Sequence, residues 1–189
     1  MRYIPAQLSL FKIRQTYILY ILRGFMRSIH AVILLLLVLM TSAQCQETAE
    51  DLVNKGIDLN KQGKYDEAIK AYDEAIRLDP NAPDAWYNKG LALYSQKKYD
   101  ESIDAYDEAI RLNPDLVAAW NNKGIVLNCL GMYDNAIKAF DVAILLDSKD
   151  AEAWSNEGIA LDALGRNTEA DVAFAMARSL GIRSDQPNI

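Results

Sequence analysis

A glycine recurs at a fixed interval: Gly56, Gly90, Gly124 and Gly158 stand 34 residues apart, in the strings LVNKGIDL, WYNKGLAL, WNNKGIVL and WSNEGIAL. A period of this length means that one small structural unit is copied and stacked, each copy burying its apolar face against its neighbours rather than around a single central core. Other positions keep the same phase. Ala68, Ser102, Ala136 and Ala170 follow twelve residues after the glycines, then Tyr72, Tyr106, Phe140 and Phe174, then Ala75, Ala109, Ala143 and Ala177. The units 49–82, 83–116, 117–150 and 151–184 cover 136 of 189 residues without an insertion.

Each unit divides into two helices. In the first, Leu52, Trp86, Trp120 or Trp154, the glycine four residues on and Leu59, Leu93, Leu127 or Leu161 three further share one face. The glycine is read as letting two backbones approach. Short turns at Gly63-Lys64, Lys97-Lys98, Gly131-Met132 and Gly165-Arg166 send a second helix back antiparallel. Along that helix an aromatic pair seven apart, such as Tyr65 and Tyr72, shares a face with the small alanines. Asp66 and Lys70, Asp73 and Arg77, Asp107 and Arg111, and Asp134 and Lys138 stand four apart in the order the helix dipole favours, so they are expected to pair on the outer face. LDPN and LNPD then end the helix, Pro80 and Pro114 blocking its continuation.

These residues resemble the tetratricopeptide repeat (TPR) family, whose pattern is Trp, Gly, Ala-x-x-x-Phe/Tyr, Ala, Pro in a 34-residue period. The resemblance implies an all-α fold: a TPR solenoid of four helix-turn-helix repeats, wound into a right-handed superhelix whose first helices line a concave groove. Departures from the family pattern are Lys55, Lys89, Lys123 and Glu157 before the glycines, where the family has Leu, and Ser148 in place of a third proline. The fourth unit departs most, with Asn167 at the turn tyrosine, Asp171 and Arg178 where earlier units carry Ile69 and Ile76, and Gly181-Ile182 in place of Asp-Pro. A last repeat has no successor to cover it, so 168–180 is expected to be a self-capping helix with a more polar face. Residues 44–48 read as a linker, 185–189 as a tail, and nothing before Glu50 resembles a cap for the first repeat.

The first 43 residues follow other rules. They hold Arg2, Lys12, Arg14, Arg23 and Arg27 and no acid, and residues 31–40, AVILLLLVLM, are apolar without a break. Cations, an apolar run and the small residues Thr41, Ser42 and Ala43 are the layout of a signal peptide. The run falls short of the roughly 20 apolar residues that span a membrane, so cleavage near Gln44 and export are expected, with a retained N-terminal membrane anchor as the alternative. Met26 opens a stretch of ordinary signal length, leaving Met1 and Met26 as candidate starts. Cys45 just beyond the run resembles the lipidation site of prokaryotic lipoproteins, although Gln44 stands where that signal has a small residue; an unmodified thiol is the other reading. Cys129 is the second of two cysteines and lies inside a repeat helix, so no disulfide framework follows.

Removal of that segment would leave 15 of the 20 Lys and Arg against 26 Asp and Glu, a net charge of −11, and would take away His30, the sole histidine. An acidic chain without imidazole disfavours nucleic-acid binding and histidine-based catalysis or metal ligation. Paired acids such as Asp66-Glu67 and Asp100-Glu101 repeat with the unit, and neighbours on a helix point about 100° apart, so they read as a solvated face rather than a catalytic pair. No catalytic residue, metal site or cofactor is assigned. The resemblance places Glu50, Asp84, Glu152, Asp162 and Lys61 toward the groove, with Tyr87, Tyr94, Leu91 and Ile125 as apolar contacts. Asn54, Asn88, Asn122 and Asn156 recur in register there, and an amide offers donors and an acceptor to the backbone of an extended chain. A similar asparagine ladder lines the TPR superhelix of O-linked N-acetylglucosamine transferase; duplication alone would also copy these residues. The cationic clamp of chaperone-tail-binding TPR domains is missing, since its places hold Val53, Ile57, Ala118 and Asn122. The expected function is therefore a protein-protein interaction scaffold that binds a partner segment, exported or tethered to the membrane through its N-terminal segment. The alternative is an obligate subunit of an envelope assembly that packs through its repeat ends. Oligomeric state is left open.

Overall fold

The computed structural model describes residues 47–181. The 1–43 segment, Cys45 and the 185–189 tail, on which the export, lipidation and tail readings rest, lie outside the described residues. Among the described residues there are eight helices and no strand: α1 (Ala49–Lys61), α2 (Tyr65–Leu78), α3 (Pro83–Ser95), α4 (Tyr99–Leu112), α5 (Val117–Cys129), α6 (Tyr133–Leu146), α7 (Ala151–Ala163) and α8 (Asn167–Gly181). Each odd-numbered helix packs against the even one that follows it, and each even one against the next odd helix. The buried side chains form separate clusters strung along the stack, as nearest-neighbour packing requires.

The repeated glycine has a more specific task than backbone approach. Its missing side chain is replaced by an aromatic ring from the second helix of the same repeat: Tyr72 on Gly56, Tyr106 on Gly90, Phe140 on Gly124 and Phe174 on Gly158. A methyl group at Gly90 would lie 2.5 Å from Tyr106 Cε1. Tyr72, Tyr106 and Phe140 are fully buried as a result. Burying each such ring contributes about 1.5–3 kcal/mol. The small residues beside the ring, Ala68, Ala75, Ala109, Ala136 and Ala143, are also fully buried. Ser102 takes the alanine place in the second repeat at no cost in unpaired polarity, because its Oγ donates to the Gly90 carbonyl at 2.8 Å.

The turns inside the repeats share one geometry. After α1, the Gly63 N–H donates to Asn60 and the Lys64 N–H to Leu59, closing the last carbonyls of the helix in a Schellman motif. Gly131 and Gly165 repeat it, with φ near 74° and 72°. The second repeat makes the same bonds with Lys97 at φ 61°, where a side chain is strained. The second helices end differently. Asp79 and Asn113 are extended before Pro80 and Pro114, and Asp147 takes the same conformation before Ser148. In all three the side chain accepts from the N–H two residues on, which explains why the third repeat stops without its proline.

One cap is added and one expectation is corrected. Thr48 caps α1: its Oγ1 accepts from Asp51 N at 3.1 Å while Asp51 Oδ2 accepts from Thr48 N at 3.0 Å, a reciprocal box that Thr-x-x-Asp supplies although Asp is shorter than the usual Glu. Two of the four-residue ion pairs, Asp73 with Arg77 and Asp107 with Arg111, are displaced. Arg77 and Arg111 bind Glu74 and Glu108, three residues back, because Asp73 and Asp107 turn to the following repeat. There they meet Lys89 and Lys123, the residues that stand where the family has leucine.

Two reciprocal substitutions test this account of the backbone. Lys97→Gly removes the left-handed strain and is expected to raise stability by about 1 kcal/mol in urea denaturation. Gly124→Ala sets a methyl against the Phe140 ring and is expected to lower it by about 1–3 kcal/mol. An unchanged midpoint for Gly124→Ala would show that the ring does not rest on the glycine in solution.

Candidate functional site

The inner residues of α1, α3, α5 and α7 form the candidate groove. Helical spacing puts Val53, Asn54 and Ile57 of α1 in the same relation as Tyr87, Asn88 and Leu91 of α3 or Asn121, Asn122 and Ile125 of α5. Asn54 is exposed; Asn88, Asn122 and Asn156 are half-buried, as are Leu91, Ile125, Tyr87 and Tyr94. Glu50, Asp84, Glu152 and Asp162 are exposed, and the exposed Lys61 lies 3.5 Å from Asp58. The groove therefore carries an acidic surplus.

The asparagines are not free arms. Asn88 Nδ2 donates to the Asp84 carbonyl at 2.8 Å, one turn back on its own helix. Asn122 Nδ2 donates both to the Ala118 carbonyl at 2.9 Å and to Tyr87 Oη at 3.1 Å. Asn156 Nδ2 donates to Asn121 Oδ1 at 3.3 Å, and Asn128 Nδ2 to the Asn156 carbonyl at 3.4 Å. An amide has two N–H donors and one carbonyl oxygen, so Asn122 has used both donors and offers an incoming chain its acceptor, whereas Asn88 and Asn156 keep a donor as well.

Several of these bonds join residues 35 apart rather than 34: Tyr87 to Asn122, Asn121 to Asn156, and the 4.0 Å approach of Tyr94 Oη to Cys129 Sγ. The one-residue offset arises because the face one first helix turns to the next is not the face the next turns back, so equivalent positions do not meet. Burial raises the Tyr87 phenol above its ordinary value, with the Asn122 hydrogen bond opposing, so the hydroxyl is neutral when it accepts. Asn121 is 6% exposed and is the buried polar residue of the groove floor. Sequence reading gave it no special role; a search for polar pairs at period plus one would have found it. Among the described residues no group of three or more His, Cys, Asp and Glu is placed to hold a metal ion.

Comparison with known proteins agrees with this architecture. A family model described as tetratricopeptide repeat matches residues 53–117, 98–152 and 130–179. The chain is similar to the crystal structure of MamA, at 25% identity over 77% of this chain and 85% of that one, with a TM-score of 0.71. MamA residues 41 to the end from Desulfovibrio magneticus RS-1 are 23% identical over 75% of this chain and 80% of that one, with a TM-score of 0.69, a likeness of fold alone. The first TPR of Spaghetti (RPAP3), solved bound to the HSP90 peptide SRMEEVD, is 28% identical over 63% of this chain and 94% of that one, with a TM-score of 0.62. No curated protein matches the chain significantly.

The bond between Tyr87 and Asn122 is measurable. A cycle of Tyr87→Phe, Asn122→Ala and the double variant in urea denaturation is expected to give a coupling of about 0.5–1.5 kcal/mol. Strictly additive single effects would mean that α3 and α5 are not tied together there.

Proposed function

This chain belongs to the tetratricopeptide repeat family, and on that premise we propose that it is an exported or membrane-tethered scaffold holding an extended, neutral-to-basic segment of a partner protein in the groove. Repeat stacks of this family are protein-interaction scaffolds, and no catalytic step is part of the reading. The observation that carries it is the floor of the groove: a register of asparagines that retains acceptors, flanked by Leu91, Ile125 and the half-buried Tyr87 and Tyr94. Acceptors at repeat spacing suit the N–H groups of an extended backbone, and the apolar side chains supply the desolvated anchor that main-chain bonds lack.

The RPAP3 domain is bound to a peptide with two Glu and an Asp. The same ligand chemistry is not proposed for this chain. Val53, Ile57, Ala118 and Asn122 carry no positive charge, and exposed Glu50, Asp84 and Glu152 repel an acidic tail. The reading of location rests on the 31–40 apolar run and the cations before it.

The test places a photocrosslinking amino acid at position 91 or 125 of the full chain, and at position 77 on an outer helix face as the reference. Cross-links to one common partner from 91 and 125 are expected, lost when Asn88, Asn122 and Asn156 are all replaced by Ala and kept in Tyr87→Phe. Equal capture from position 77, or capture that survives the triple replacement, overturns the groove reading.

A further inference from the structure

Three times along the chain an aspartate of a second helix stands opposite the residue that precedes the next glycine: Asp73 and Lys89, Asp107 and Lys123, Asp141 and Glu157. In the first two cases the partner is a cation. Lys89 Nζ lies 2.6 Å from Asp73 Oδ1 and 5.3 Å from the centroid of the Trp86 ring. Lys123 Nζ lies 2.5 Å from Asp107 Oδ1 and 5.8 Å from the Trp120 ring. Both side chains are largely withdrawn from water, 23% and 21% exposed, so the stem packs on apolar surface while the ammonium meets a carboxylate and an aromatic face. The protein thus shows twice what this combination of Asp and Trp accommodates.

The third copy keeps the cradle and loses the cation. Asp141 and Trp154 stand where Asp107 and Trp120 stand one repeat earlier, and Ile137, Leu161 and Ala173 repeat Ile103, Leu127 and Ala139. They line a cavity of about 360 Å³ between α6, α7 and α8; the preceding repeat keeps one of about 460 Å³ with Lys123 in its wall, so what changes at the third copy is the charge of the wall and not the space. Glu157 occupies the lysine position, and its Oε2 is buried without a hydrogen-bond partner among the described residues. Two carboxyl groups now share a place that elsewhere holds one carboxylate and one ammonium. The cation at the rim does not fill it: Arg166 is engaged by both oxygens of Glu169, at 2.8 and 2.6 Å. On the outer side Val172, 60% exposed, replaces the charged Lys138 of the preceding repeat and leaves an apolar wall open to solvent.

We propose that this cavity is a docking site for a lysine side chain of a partner protein, the stem lying along Leu161 and Val172 and the ammonium meeting Asp141, Glu157 and the Trp154 ring. None of the groove residues lines it, so the site is independent of the groove and of the reading placed on it. The two internal precedents select the occupant by charge and by shape. They also explain why Glu157 is tolerated: it is unfavourable in the free chain and becomes an attractive group when the ammonium enters.

The electrostatics give the site a pH dependence. Burial first, then the charge of Asp141 on α6 and a hydrogen bond shared with its carboxyl, then the charge of Glu169 on α8, raise the Glu157 carboxyl to about 7, with Arg166 working against them. A carboxyl raised in the folded state binds its proton more tightly there than in the unfolded chain. The free protein therefore loses stability as pH climbs from the ordinary value of 4.5 to about 7 and not beyond. Lysine binding has the opposite trend, since the cation favours the ionised pair.

The test follows the indole N–H signals of the full chain by NMR, with Trp154 assigned through Trp154→Phe, during titration with a glycine-flanked lysine peptide and its norleucine counterpart. The Trp154 signal is expected to move with the lysine peptide alone, and the affinity to rise about tenfold from one pH unit below 7 to one unit above, the change in the ionised fraction of Glu157. Glu157→Lys is expected to abolish the response and to raise the melting temperature by pairing with Asp141 as Lys123 pairs with Asp107. A response to norleucine of equal size, equal movement of Trp86 and Trp120, no movement of Trp154, or an unchanged response in Glu157→Lys would each overturn the proposal.

Discussion

An aromatic ring resting on a glycine is the contact on which the rest of this structure depends. The ring of Tyr72, Tyr106, Phe140 or Phe174 occupies the space where the first helix of its repeat has no side chain. That contact fixes how close the two helices of a repeat come and how they are rotated about each other. Because it is made within a repeat, each repeat presents nearly the same outline to the next, and the stack grows by repetition of one interface. The turn geometry is subordinate to it. Gly63, Gly131 and Gly165 make a Schellman turn without strain, yet Lys97 makes the same turn with strain, since the helix pair it joins is already positioned by Tyr106 on Gly90.

The interfaces between repeats are less uniform than those within them, and function enters there. One line of contacts runs along the groove floor, where Tyr87, Asn121, Asn122 and Asn156 join consecutive first helices. These bonds tie the first helices together, use both donors of Asn122 and leave Asn88 and Asn156 a donor each. A second line runs where Asp73 and Asp107 reach Lys89 and Lys123. Partly buried ion pairs backed by tryptophan rings are ties between neighbouring units, and their absence between Asp141 and Glu157 sets the last repeat apart from the others.

The fourth repeat departs from the others on its second helix. Asp171 and Arg178, in place of the isoleucines that a successor would cover, are exposed on α8. The same helix exposes Val172 and Met176. Polar residues thus stand where earlier repeats carry isoleucine, and apolar ones are exposed beside them, a redistribution that solubility alone does not require.

Most of the architecture was legible in the sequence, for a physical reason. A unit copied in phase makes local contacts, so spacing fixes the helix pairs and the turns at Gly63, Gly131 and Gly165, whereas the candidate groove positions came from the resemblance to the repeat family. Spacing also identified the ring and the glycine as partners in one pattern, but it described that glycine as a place for backbones to meet. What only the tertiary structure decided are the contacts between repeats. Asp73 and Arg77 stand in good order on one helix, yet Asp73 turns to Lys89, because a half-buried ammonium held by a ring and a carboxylate is favoured over an exposed pair in water. The pairing of Tyr87 with Asn122 at 35 residues, and the opposition of Asp141 and Glu157, depend on which helix faces meet between one repeat and the next. A one-dimensional period of 34 does not say which faces meet; that is decided only when the side chains are packed.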